Sequence, residues 1–167
     1  MTAGLRLKDF QWTEQFIHQY KDRLRPEIRE NAALYNLASF YYERKDYKRA
    51  LQQLYNVELT DSSYHVGAKI IQVKSYYELN EYEAFLSLFE AFKKYIQRNK
   101  ELSDYQKNTN IAFLKFSKKI FQLKNSKSLI SKAAWRKKYN TVNEQLATPQ
   151  PLANKEWLMN VVKGLVD

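Results

Sequence analysis

The chain has 167 residues, 44% of them apolar and 15% aromatic, which suits one domain with a substantial core, and having no cysteine it excludes disulfides and thiolate metal centres. Only three glycines and three prolines are present, which favours a helical protein, and the formal net charge is +10. Neither the opening MTAGLRLKDF nor any later stretch contains about 18 consecutive apolar residues, so we expect a soluble cytoplasmic protein without membrane attachment.

Apolar residues recur at helical spacing along most of the chain. Helices are predicted near 8–22, 27–44, 47–57, 63–79, 82–98, 102–123, 127–145 and 154–165. The first carries Phe10, Trp12, Phe16, Ile17 and Tyr20, five large groups that either cap the fold themselves or are covered by an upstream domain or a second copy. Pro26 before Glu27 suits the first turn of the second helix, where proline needs no amide partner and an acid meets the positive helix end. Asp61, Ser62 and Ser63 offer an N-cap to the fourth helix, and Asn125 and Ser126 offer one to the seventh. Pro149 and Pro151 mark residues 147–153 as a linker, after which Asn154 is expected to cap the last helix. That helix, within 154–167, aligns Trp157, Leu158, Val161, Val162 and Leu165 along one side. It reads as a cover for the end of a helix stack, or alternatively as a mobile docking helix.

Two stretches repeat at an offset of 35 residues. FYYERKDYKRALQQL (40–54) aligns with SYYELNEYEAFLSLF (75–89), matching Tyr41 to Tyr76, Tyr42 to Tyr77, Glu43 to Glu78 and Tyr47 to Tyr82. KDFQW, upstream, supplies a partial third copy at Asp9 and Phe10. Ala50 is the small residue that lets the two helices of a copy approach, with Leu37, Tyr41 and Leu54 filling the space around it. In the second copy the register is open: Phe85 and Phe89 follow at offset 35, Ala84, Leu88 and Ala91 at offset 34.

On these residues the chain resembles the tetratricopeptide repeat, a helix-turn-helix unit of about 34 residues. The family's W-x2-L-G-x2-Y pattern is met by Leu34, Leu37, Ala38 and Tyr41, and its A-x3-F by Ala50 and Leu54; Lys69, Gln72, Val73 and Tyr76 stand at the first set of positions in the second copy. The chain also resembles the C-terminal part of longer bacterial proteins built of such helices. The resemblance implies an all-α, right-handed superhelix of about eight antiparallel helices, with an array over 1–146 and its clearest units at 31–65 and 66–100. It further implies a non-enzymatic protein-protein interaction scaffold whose peptide groove is lined by the first helix of each unit, with Tyr35, Ser39, Tyr42, Ile70 and Lys74 as groove candidates. Members that hold a terminal carboxylate use a Lys and an Asn, where this chain has Tyr35 and Ser39, so that speciality is not expected.

Neither a phosphate loop, a nucleophile elbow nor a zinc pattern is present, and no catalytic residue, cofactor or metal site is expected. His18 and His65 read as structural or surface residues, and Glu78, Glu81 and Glu83 as solvated groups at a helix turn. Charge is the remaining signal. Between Asp104 and Glu144 there are ten Lys or Arg and no Asp or Glu, whereas residues 1–100 are nearly balanced. A helical wheel of 102–123 sets Leu102, Tyr105, Phe113, Phe116, Ile120 and Leu123 on one side and Lys107, Lys115, Lys118 and Lys119 on the other. Lys127, Lys132, Arg136, Lys137 and Lys138 continue the patch, with Trp135 and Tyr139 among them. Segment 105–143 is either a solvated face with Trp135 in the core, a nucleic-acid surface using lysines and stacking rings, or a receptor for an acidic partner.

Overall fold

The computed structural model describes residues 9–55 and 62–166. Among them are eight α-helices and no strand: α1 Phe10–Lys21, α2 Pro26–Glu43, α3 Tyr47–Tyr55, α4 Ser62–Glu78, α5 Tyr82–Arg98, α6 Asp104–Asn125, α7 Lys132–Ala147 and α8 Lys155–Lys163. Local chemistry sets most of the ends. The Asp9 carboxylate accepts the Trp12 amide at 3.0 Å, Pro26 opens α2, and Ser103 with Gln106 forms a reciprocal capping box on α6.

Three expected caps turn out differently or fall elsewhere. The start of the seventh helix near 127 is corrected: α6 continues to Asn125, and Ser126 becomes its C-cap, donating its amide to Gln122 at 2.9 Å. With those amides committed to the last carbonyls of α6, α7 begins only where Ser131 accepts the Ala134 amide at 3.3 Å. Asn154 stands at the start of α8 in the left-handed conformation, φ 53°, and makes no side-chain capping bond. The cap expected from Asp61, Ser62 and Ser63 rests on groups outside the described residues.

The chain divides into two compact units, Met1–Phe85 and Leu86–Asp167. In the first, α2 packs against α1, α3 and α4, and α3 also packs against α4. Small residues meet where these helices converge. Ala38, Ala50 and Ala68, one each from α2, α3 and α4, form a buried cluster with Leu54 and Ile71, against which Leu34, Tyr35, Tyr41 and Tyr42 pack. Ala50 is fully buried, while Leu37 is only half-buried.

The 35-residue repeat extends to the backbone. After α2, Lys45 adopts φ 61° and donates its amide to the Tyr42 carbonyl at 2.9 Å, while the Asp46 amide reaches Tyr41 at 2.9 Å. After α4, Asn80 adopts φ 59° and donates to Tyr77 at 3.2 Å, while the Glu81 amide reaches Tyr76 at 2.9 Å. Both are Schellman closures, which satisfy terminal carbonyls by a left-handed residue just beyond the helix. Burial repeats in the same register: Ala33 and Ala68, Ala38 and Val73, Phe40 and Ser75, Ala50 and Phe85, and Leu54 and Phe89 are buried in both copies. Offset 35 is therefore the register of the second copy. Ala84 and Leu88 are half-buried and Ala91 is exposed.

Gly67, on α4, marks a close approach to α2. A Cβ there would lie 2.5 Å from the Tyr35 hydroxyl oxygen and 3.0 Å from its ring, and that ring stands edge-on to Tyr64 with centroids 5.3 Å apart. Alanine gains roughly 0.5–1 kcal/mol over glycine in a helix interior. Overpacking costs about 1–3 kcal/mol. Gly67→Ala is accordingly expected to lower the urea midpoint, and Tyr35→Phe in the same chain, lacking the nearest atom but keeping the ring carbons at 3.0 Å, to recover part of the loss. A Gly67→Ala protein more stable than the wild type would mean that Tyr35 withdraws freely.

In the second unit, α6, α7 and α8 each pack against the other two. The middle and end of α6 are buried on most sides, including Phe113, Leu114, Phe116, Ser117, Ile120, Phe121 and Leu123. By contrast α7 buries only Trp135, Val142 and Leu146. The last helix buries Leu158 and Val162, and sets the Trp157 ring 5.9 Å from Phe113.

Candidate functional site

The groove candidates of the first unit lie on α2 and α4, which pack together. Tyr35 meets Tyr64 and Gly67, and the Lys74 ammonium sits 5.7 Å from the centre of the Tyr42 ring. Ser39 donates its hydroxyl to the Tyr35 carbonyl at 3.0 Å, and Ile70 is half-buried. Burial raises the Tyr35 and Tyr77 phenols above their ordinary value and lowers the Lys69 ammonium, which donates to Gln72 at 3.1 Å. The two helices thus carry phenols and two lysines, Lys69 and Lys74.

The five large groups of α1 separate. Ile17 is buried and Phe10 stands edge-on to Phe40 at 6.1 Å, whereas Trp12, Phe16 and Tyr20 stack on one another at 5.0 and 4.3 Å, with Arg23 at 4.6 Å over Tyr20. Trp12 and Tyr20 remain 45% and 40% exposed.

The basic residues of the second unit do not form one stripe. Lys118 faces Glu90 at 3.9 Å and lies 4.5 Å over the Phe89 ring. Lys127 donates to the Leu165 carbonyl and covers the Trp135 ring at 5.4 Å, so its ammonium ties the turn after α8 to the start of α7. Lys107 is half-buried, while Lys115, Lys132, Arg136, Lys137 and Lys138 are exposed. Tyr105, expected on the apolar side of α6, is 66% exposed, because that side is used only from Thr109 onward in this helix. Trp135 is in the core, 5% exposed, donating its indole N–H to the Leu123 carbonyl at 2.9 Å, and Tyr139 stacks on it at 5.4 Å.

Three of the predicted lysines do converge. Lys119 of α6 and Lys137 and Lys138 of α7 line an open groove of about 660 Å³, which also presents Leu123, Ala134 and Val142. Lys119 donates to the Gln145 amide oxygen at 2.9 Å, a partner that carries no charge. A smaller hollow of about 530 Å³ lies along α7 beside Lys132, Arg136 and Val166. The groove follows from the narrow buried stripe of α7, Trp135, Val142 and Leu146, whose spacing is visible in the sequence but whose consequence for neighbouring space is not. His18 is exposed and His65 half-buried. Among the described residues no group of three His, Cys, Asp or Glu is placed to hold a metal ion, and no helix is long and apolar enough to cross a membrane.

Comparison of the chain with protein-family profiles, curated proteins and solved structures finds no match.

Proposed function

We propose that this chain is a non-enzymatic interaction scaffold of the tetratricopeptide type, holding a peptide or protein partner in a groove lined by the first helices of its repeats. The supporting observation is the recurrence at offset 35 of a Schellman-closed helix turn together with five buried positions. Stacked helix pairs require each first helix to touch its own second helix and the next first helix. The contacts of α2 with α3 and α4, and of α3 with α4, fit that requirement. A right-handed superhelix is the arrangement such stacking propagates. Tyr35, Ser39, Tyr42, Ile70 and Lys74 belong to two adjoining first helices on this reading, and the exposed rings of Trp12 and Tyr20 are where an upstream domain or second copy would add. The lack of cysteine suits a cytoplasmic setting.

Affinity capture from source cells, at low and high salt and with and without nuclease, tests this reading. The expected result is a discrete protein partner retained after nuclease treatment and lost with Lys74→Glu. Retention abolished by nuclease would instead favour a nucleic-acid surface on 105–143, the reading motivated by the ten basic residues and no acidic one in that segment. Neutralising six to ten phosphates would weaken binding roughly 10³–10⁵-fold between 50 and 200 mM salt.

A further inference from the structure

We propose that the groove between α6 and α7 is a separate docking site, and that its occupant is an acidic amphipathic helix of a protein partner. It goes beyond the groove of the first unit and uses none of its residues. Leu123, Ala134 and Val142 offer apolar surface, while Lys119 from one wall and Lys137 and Lys138 from the other supply three positive charges. No carboxylate lines it, and none occurs in the sequence between Asp104 and Glu144 to neutralise them.

Ala134 and Gln145 both line the groove, so along α7 it extends roughly 16 Å at 1.5 Å per residue. That is about three helical turns, enough for apolar side chains at i, i+4 and i+7 to lie on the floor while flanking Asp or Glu reach the lysines. The charge complementarity is specific to such a helix. A single strand of nucleic acid relies on rings for its bases to stack on, but Trp135 is buried with its N–H committed to Leu123, and Tyr139 is stacked upon it. A second copy of this chain would bring a net charge of +10 against the same sign.

Fluorescence anisotropy on the full chain provides the test, with four labelled probes: a glutamate-rich peptide carrying Leu at i, i+4 and i+7, a scrambled peptide of the same composition, a single-stranded RNA and a duplex DNA. The patterned peptide is expected to bind at least about tenfold more tightly than the scrambled one, because only it pairs apolar contact with charge. Lys137→Glu with Lys138→Glu, and separately Ala134→Gln, which fills the floor from an exposed helix position, should each weaken it by about tenfold or more. Lys74→Glu should leave this affinity unchanged, which separates failure here from failure of the first-unit groove. Circular dichroism confirms that the variants fold. Equal binding of patterned and scrambled peptides, no peptide binding by the wild type, or tighter binding of either oligonucleotide would overturn the proposal. So would concentration-dependent dimerisation abolished by the α7 variants.

Discussion

Replacing Trp135 by alanine is expected to cost about 3–5 kcal/mol, the range for deleting a large buried aromatic side chain. The side chain is 5% exposed and is the largest of only three that α7 buries, so the bulkiest of that helix's anchors is removed with it. Its indole N–H also answers a structural need. The final carbonyls of a helix lack donors within the helix. Leu123, two residues before the end of α6, accepts from Trp135 at 2.9 Å and from the Ser126 hydroxyl at 3.1 Å. Trp135→Phe keeps an aromatic ring but gives up the hydrogen bond, a net loss of about 0.5–1.5 kcal/mol. Its unfolding midpoint should fall between those of wild type and alanine. Urea unfolding followed by circular dichroism reads both effects. An alanine variant within about 1 kcal/mol of wild type would mean that other contacts hold α7, since that is far below the cost of a cavity this size. The groove depends on the same anchor, because Lys137 and Lys138 line it together with Lys119 only while α7 stays in register with α6.

The second large effect concerns Ala50 and Phe85, equivalent positions that carry opposite sizes. Both are fully buried, each at the first buried turn of the second helix of its copy. Ala50→Leu is expected to overpack the cluster shared with Ala38 and Ala68, at a cost of about 1–3 kcal/mol. Phe85→Ala should open a cavity and cost about 3–5 kcal/mol. Opposite changes thus act in the same direction because each site is packed for its own residue. Stability curves for the two variants check this, and a neutral Ala50→Leu would place the tight approach of α2 and α3 elsewhere.

This pair also explains how far the repeat could be read from the residues. In the first copy the buried bulk at these positions is Phe40 on the first helix, with Ala50 on the second; in the next copy it is Phe85 on the second helix, with Ser75 on the first. A pattern that expects a small residue at the Ala50 position therefore drifts toward Ala84, one residue out of register. The backbone turn is insensitive to that exchange, and its recurrence at Lys45 and Asn80 restores the alignment.

Helix content, the positions of most helices and the concentration of positive charge after Asp104 were determined by the sequence alone, since each depends on spacing or composition within a few turns. The delayed start of α7 was not, because it depended on how far α6 would run before a free cap became available. Nor was the division of the lysines: one facing Glu90, one held by the Leu165 carbonyl, and three converging across a groove from two helices. A helical wheel assigns a side chain to a direction around one axis, whereas the partner it meets is set by the packing of another helix distant in sequence. That is why the charge was legible as a segment and became a site only through the pairing of α6 with α7.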